Sequence, residues 1–458
     1  MGPDPPTFSM STLLPLDPPP GRATRTRAAA RLLVTTVAAF AIALGVLSLL
    51  DRTPAGPPAP PAPTVGASRG GTDTGAEVRR LQAAVRMAPE AAGPRAQLAA
   101  AYLQRARETG DPSFYVRAEG LVRSALARDP GNAEATVQAG TLALARHDFS
   151  SALVLAQRAQ RQSGGAGAVA PYPVLVDALV ELGRYDEAER ALQAMVDLKP
   201  NLAAYARVSY LRELHGDLDG AAAAMREAIA AGGPVPEHVA SLQTLLAGLE
   251  LARGRTGAAR RATDAALAAL PGYVPALAED ARLRASRGDL GGAVAAWRRV
   301  VARRPLPEYI TALGEAELAA GRRTQARRDL ALVGVQRRLP AAGGVNTDVE
   351  RAAFEADHGD PRRGVALGRR GWAAAPSVRS ADALGWALTR SGRPREGLAW
   401  ARRALRLGSL DPLLRFHAGM TARAAGRPRE ARAHLRTALA HGLRATPWQA
   451  RQAREALR

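Results

Sequence analysis

One pattern constrains this chain more than any other: a glycine followed, five positions on, by a small residue. It recurs at Gly183/Ala188, Gly216/Ala221, Gly254/Ala259, Gly288/Ala293, Gly321/Ala326, Gly359/Gly364, Gly392/Gly397 and Gly426/Ala431. Successive first glycines stand 33, 38, 34, 33, 38, 33 and 34 residues apart. Ala118 and Ala152 anchor two earlier units, 34 residues apart, so ten units cover residues 91–442. At this period each unit is a supersecondary element too small to bury its own apolar face, and it must stack on its neighbours.

The residues around the pattern say what each unit is. Twelve positions before the small residue stands another, Gly140, Ser209, Ala247, Ala281, Gly314, Ala352, Gly385 or Gly419, with Val176 the larger exception. Seven positions after it come Ala125, Ala159, Ala228, Ala266, Gly371, Ala404 and Ala438, with Met195, Val300 and Val333 as exceptions. Two helices packed closely at these points require small side chains there. Pro130, Pro200, Pro271, Pro305 and Pro376 then end the second helix, since proline lacks the amide donor and constrains the residue before it. Each unit reads as helix, tight glycine turn, helix, proline stop.

With these offsets the chain resembles the tetratricopeptide repeat family, most closely from Val176 to Pro200, VDALVELGRYDEAERALQAMVDLKP. The family's large first-helix residue is often replaced here, by Thr136 or Ala381 for example. The resemblance implies an all-α fold, an α-solenoid of helix-turn-helix repeats forming a right-handed superhelix. First helices would line a concave groove and second helices a convex face, with a protein or peptide partner in the groove. Tyr210, Glu213 and Glu315 project toward that groove and are the candidate partner contacts. The Lys and Asn clamp with which some members grip a terminal carboxylate is absent, because the chain has one lysine, Lys199, and three asparagines, none at matching positions. Trp297, Trp372, Trp386 and Trp400 are expected to fill inter-repeat space, the last three where Gly364, Gly368 and Gly371 leave room.

Composition fits many small local cores: alanine is abundant and aromatics make up only 4%. The net charge of +21 is unevenly placed, with 24 basic and 24 acidic residues in 1–250 but 39 arginines against 18 carboxylates in 251–458. Pairs at Arg298 and Arg299, Arg327 and Arg328, and Arg402 and Arg403 fall on second helices, and the resemblance puts them on the convex face. Anionic lipid headgroups or a wall polymer are the partners this charge could serve, set against a solvated face that merely reflects an arginine-rich composition. Nucleic acid is disfavoured, because stacking aromatics are not interleaved with these pairs.

Ahead of the repeats, residues 32–50 (LLVTTVAAFAIALGVLSLL) carry no charge over 19 positions, enough to cross a hydrocarbon core of ~30 Å at ~1.5 Å per residue. Arg22, Arg25, Arg27 and Arg31 precede them, so the positive-inside rule keeps the N-terminus cytoplasmic and the repeats extracytoplasmic. The run exceeds the ~7–15 residues of a signal peptide's apolar region, which favours a single-pass signal anchor. Secretion after cleavage near Val65-Gly66-Ala67 is the alternative. The expected layout is a Pro- and Arg-rich segment 1–30, a membrane helix 31–50, a Pro/Gly-rich linker 51–75, repeats 76–333, a longer loop 334–348, and repeats 349–458 with a C-terminal capping helix from residue 446.

Nothing in the sequence looks catalytic. Gly66-Ala67-Ser68-Arg69-Gly70 spells a nucleophile elbow but sits in the Pro-rich linker, without the strand-to-helix turn that chemistry needs. Gly165-Ala166-Gly167-Ala168-Val169-Ala170 resembles a dinucleotide loop with no strand before it. No two of the seven histidines have helical metal-site spacing, and His434 and His441 are expected at the surface. Glu315 and Glu317, two apart, do not share a helix face. With no cysteine, disulfides and thiolate sites are excluded. No cofactor, metal or enzymatic activity is expected. The sequence reads as a membrane-anchored, non-catalytic repeat scaffold for protein interactions, the alternative being an Arg-rich solenoid that binds nucleic acid or another polyanion.

Overall fold

The computed structural model describes residues 73–233, 235–336 and 345–458. The expected membrane segment 32–50, with its flanks, and residues 337–344 of the expected long loop lie outside the described residues. Among those described, every regular element is a helix.

A leading helix α1 (Thr74–Met87) is followed by hairpins. These are α2 (Ala92–Thr109) with α3 (Ser113–Arg128), α4 (Ala133–Ala145) with α5 (Phe149–Gln162), and α6 (Tyr172–Glu181) with α7 (Tyr185–Leu198). Next come α8 (Leu202–Leu214) with α9 (Leu218–Ala230), α10 (Pro236–Ala252) with α11 (Thr256–Ala269), and α12 (Val274–Ser286) with α13 (Leu290–Arg303). The series continues with α14 (Pro307–Ala319) and α15 (Arg323–Gln336), α16 (Asp348–His358) and α17 (Pro361–Ala374), and α18 (Val378–Arg390) and α19 (Pro394–Ala404). It ends with α20 (Pro412–Ala424), α21 (Pro428–Ala440) and a closing helix α22 (Pro447–Leu457).

Local chemistry explains the hairpins. Asn132, Asn201, Asp217 and Asp289 each accept an amide from the third residue of the helix they precede, at 2.8–3.0 Å, which satisfies one of the donors a helix start leaves open. Where second-helix meets first-helix, Ala188, Ala221, Ala259, Ala293 and Ala326 are fully buried. A Cβ built on Gly385 would stand 2.9 Å from that of Trp400, and one on Gly419 2.7 Å from Leu435, so these positions admit no larger residue without repacking. The turn glycine Gly183 has φ +69°, in the left-handed region. Gly359, in phase with it, has φ −132°, because here the Glu355 carboxylate accepts the Asp360 amide and Pro361 starts the next helix. In the second hairpin His147 takes the left-handed turn, at φ 57°.

The stack winds tightly enough that its second turn rests on its first. The Val378 amide donates to the Tyr185 hydroxyl at 2.9 Å across 193 residues. His147 Nδ1 donates to the Asn346 carbonyl at 2.7 Å across 199 residues, and the Asn346 amide donates to the Arg146 carbonyl at 3.0 Å. The same offset places Arg304 against Gly110, Pro376 against Gly183, and Gly408 and Leu410 against Gly216. Intra-repeat turns of one superhelical turn thus meet inter-repeat junctions of the next. The first helices are sealed accordingly: all ten residues of α6 are buried, and ten of the 13 in α18. Leu410 and Val378 join the core cluster that runs from Leu81 to Ala262.

Candidate functional site

Closure sets what the interior can hold. Tyr210, on α8, is 5% exposed and accepts a hydrogen bond of 2.8 Å from Arg379 Nη2 of α18. The neighbouring Glu213 has its carboxyl pushed up to about 7 by burial and by Asp411, against the pull of Arg379. The chain's own second turn fills the space in front of both side chains. Glu315 is brought to neither: it bonds His358 Nε2 at 3.0 Å, and desolvation of that imidazole is outweighed by Glu315 and Asp357, so its pKa is raised. Glu317 turns the other way and takes Arg298 at 2.7 Å.

A cavity of about 90 Å³ remains between the two turns. Its polar lining comes from His147 and Glu181 of the first turn and Glu350, Arg379, Asp382, Asp411 and His417 of the second; Phe149, Val349, Leu413 and Leu414 supply apolar wall. Asp382 Oδ2 bonds His417 Nδ1 at 2.8 Å, and His417 stacks on Trp386 with ring centroids 4.5 Å apart. Asp411 Oδ1 accepts the Leu413 and Leu414 amides at 2.7 and 3.0 Å. His147 Nδ1 lies 3.9 Å from Glu350 Oε1. Glu181 is 6% exposed and forms no hydrogen bond or ion pair with a described residue; burial raises its pKa, opposed by Arg379 and His147. Sequence reasoning missed this site, because its members come from separate repeats brought together by the superhelical pitch. The one local signal is His147 standing where later repeats carry the turn glycine.

The outer surface is the opposite in charge. The five second helices α13, α15, α17, α19 and α21 carry sixteen arginines against three carboxylates, whereas α14, α16, α18 and α20 between them carry five arginines against eight carboxylates. Arg299, Arg327 and Arg328 are exposed. Arg298 is half-exposed at its pair with Glu317, Arg402 forms a bidentate pair with Glu430 at 3.1 and 2.9 Å, and Arg403 lies over Trp372 and Trp400 at 5.2 and 5.0 Å. The tryptophans are structural: Trp372 and Trp400 meet edge to face, and Trp297 and Trp386 are each 3% exposed. His441, expected at the surface, is 5% exposed. The 3-10 turn Leu443–Ala445 packs on α12 and α22 packs on α14, one superhelical turn back, as well as on α20 and α21.

No protein-family model matches the chain, and no curated protein matches it in sequence. Among solved structures, the human IFIT1 dimer with m7Gppp-AAAA is similar with a TM-score of 0.47 at 14% identity, over 73% of this chain and 77% of that one. The APC/C hetero-tetramer Cut9-Hcn1 gives 0.40 at 16% identity, over 84% and 82%. YrrB, a TPR protein with an unusual peptide-binding site, gives 0.26 at 19% identity, over 44% and 97%. From its own hairpins, glycine turns and small-residue contacts, the chain is an all-α, tetratricopeptide-like helical solenoid.

Proposed function

We propose that the protein is a non-catalytic scaffold that binds protein partners, held to a membrane by residues 32–50 with its repeats on the extracytoplasmic side, and that acidic partners dock on the outer face of its second half. The observation that carries the docking surface is the sorting of charge: sixteen arginines against three carboxylates on the outer helices, with the inner helices net acidic. A field of one sign on one face raises encounter rates with an oppositely charged partner and fixes its orientation. The membrane assignment is supported by the uncharged run and the arginines before it.

The test is crosslinking in intact membranes, comparing the wild-type chain with one carrying Arg299→Glu, Arg327→Glu and Arg328→Glu. These positions are exposed, so the fold tolerates the change. The expected result is a defined set of acidic proteins captured by the wild type and lost in the variant. Equal capture by both chains sinks the docking surface. Binding of the purified protein to anionic vesicles or duplex DNA, abolished by the same variant, would reassign the face to a lipid surface or to nucleic acid. A reporter fused after residue 458 that proves active only in the cytoplasm would refute the sidedness.

A further inference from the structure

We infer that the cavity between the superhelical turns is a binding site for a primary alkylammonium group. Its electrostatics are those of an anionic pocket inside a cationic protein. Glu181, Glu350, Asp382 and Asp411 line it against a single guanidinium, that of Arg379, which already donates to the Tyr210 hydroxyl. Two of the carboxylates are internally engaged, Asp382 by His417 and Asp411 by backbone amides.

Glu181 is not engaged. It is 94% buried by its 6% exposure, reaches the cavity wall, and has no hydrogen-bond or ion-pair partner among the described residues. A buried carboxylate without a donor carries a desolvation penalty that a bound cation removes. Glu350 is placed to help, since its Oε2 is buried with no partner while its Oε1 stands 3.9 Å from His147.

The shape selects an organic cation over a metal ion. Among the described residues no three His, Asp or Glu side chains converge as metal ligands, so the carboxylates stand around the wall and do not meet at one point. Between them Phe149, Val349, Leu413 and Leu414 offer apolar surface to a methylene chain. A volume of about 90 Å³ exceeds what one water fills, ~10–15 Å³ on the same measure. An ammonium on a short alkyl stem satisfies both parts of the lining: three donors for the acidic groups and methylenes for the apolar wall. Such a group is offered equally by a free diamine and by a lysine side chain on a partner protein.

The experiment is calorimetric titration of the full-length protein in detergent with cadaverine, with a short alanine peptide bearing one central lysine, and with pentanol as a neutral chain of similar length. Saturable binding of cadaverine, absent for pentanol and weakened about tenfold or more in Glu181→Gln, is the expected result, tenfold being the scale of one charge-assisted hydrogen bond in a desolvated site. Binding of the peptide alone, with the same sensitivity to Glu181→Gln, supports the site with a partner's lysine as its occupant. Glu350→Gln provides a second variant should Glu181→Gln alter the melting curve. No saturable binding of either amine, pentanol binding as well as cadaverine, or wild-type affinity in both variants would overturn the inference. The outer arginines lie on other helices, so this result and the fate of the docking surface are separable.

Discussion

Replacing one turn glycine with alanine separates the strength of a hairpin from the strength of the contact between superhelical turns. Gly183 and Gly254 have the same left-handed backbone, φ +69° and +72°. Alanine in that conformation costs about 1–2 kcal/mol at either position. The two differ in what the new methyl group meets. At Gly254 nothing lies within 4 Å, whereas at Gly183 a Cβ would stand 2.3 Å from the Pro376 carbonyl oxygen and 3.0 Å from its carbon. Those are backbone atoms of the next superhelical turn and cannot rotate away.

Gly183→Ala therefore forces the turns apart at the place where the Val378 amide bonds Tyr185. Overpacking of this kind costs roughly 1–3 kcal/mol, and a buried amide left unpaired about 1–3 kcal/mol more. Gly216 is intermediate, with the Gly408 carbonyl oxygen at 3.0 Å, and at Gly110 the obstacle is the flexible end of Arg304. The order of destabilisation expected is Gly183→Ala, then Gly216→Ala, with Gly110→Ala close to Gly254→Ala. A stack of repeats does not unfold in one step, so a single melting temperature is a poor readout. Amide exchange is the better assay: Gly183→Ala should accelerate exchange at Val378 and its neighbours on α18, and Gly254→Ala should leave them protected. Equal protection of Val378 in the two variants would refute the stacked-turn contact as a source of stability.

Glu213→Gln tests the buried carboxyl. Its folded pKa of about 7 lies above its ordinary value of 4.5, so between those pH values the unfolded chain releases a proton that the folded chain keeps, and stability falls as pH rises through the window. Denaturation of the glutamine variant should match wild type at pH 4 and exceed it at pH 8 by on the order of 3 kcal/mol. His238 has the opposite sign: its pKa is lowered to about 3 by burial and by Arg107, so stability is lost as pH falls below 6.5, and His238→Gln should flatten that acid limb in a urea titration at pH 4–7. Tyr210→Phe removes the acceptor for Arg379 and should cost about 1–2 kcal/mol, read as faster exchange on α18 with the first hairpins unchanged. Ending the chain after residue 446 removes α22, against which Leu443 is fully buried; faster exchange in α20 and α21 and concentration-dependent aggregation are the expected results.

The hairpins were legible because their causes are local. A left-handed turn needs glycine, a helix stop is well served by proline, and close helix contact needs alanine, all within one period. Gly359 departs from its phase for a local reason too, the Glu355 side chain and Pro361 making that turn in another way. Tyr210 and Glu213 could be placed on the inner surface from their register, but nothing in the register says that Arg379 stands before them. That depends on superhelical pitch, the sum of small rotations added at each repeat, and an error of a few degrees per repeat moves a contact 193 residues away to another neighbour. The cavity and the burial of Glu181 share this dependence. His441 stands beyond the last repeat's register, so the repeat pattern does not predict its burial.

Closure also ranks the two places where a partner could bind. A peptide entering at the level of Tyr210 must first part the turns, breaking the bonds Val378 to Tyr185, Arg379 to Tyr210 and Asn346 to Arg146. At about 0.5–1.5 kcal/mol each, these three bonds alone hold the open form below about a tenth of the population. A groove ligand's apparent affinity falls by that fraction, whereas a ligand of the outer arginines meets no such reduction. The chain contains no cysteine, so a disulfide between Arg146→Cys and Asn346→Cys, introduced where the backbones bond at 3.0 Å, locks the turns cleanly. Partners of the outer face should crosslink equally before and after reduction. A partner captured only after reduction would show that the groove is the working surface and that the superhelix must open to use it.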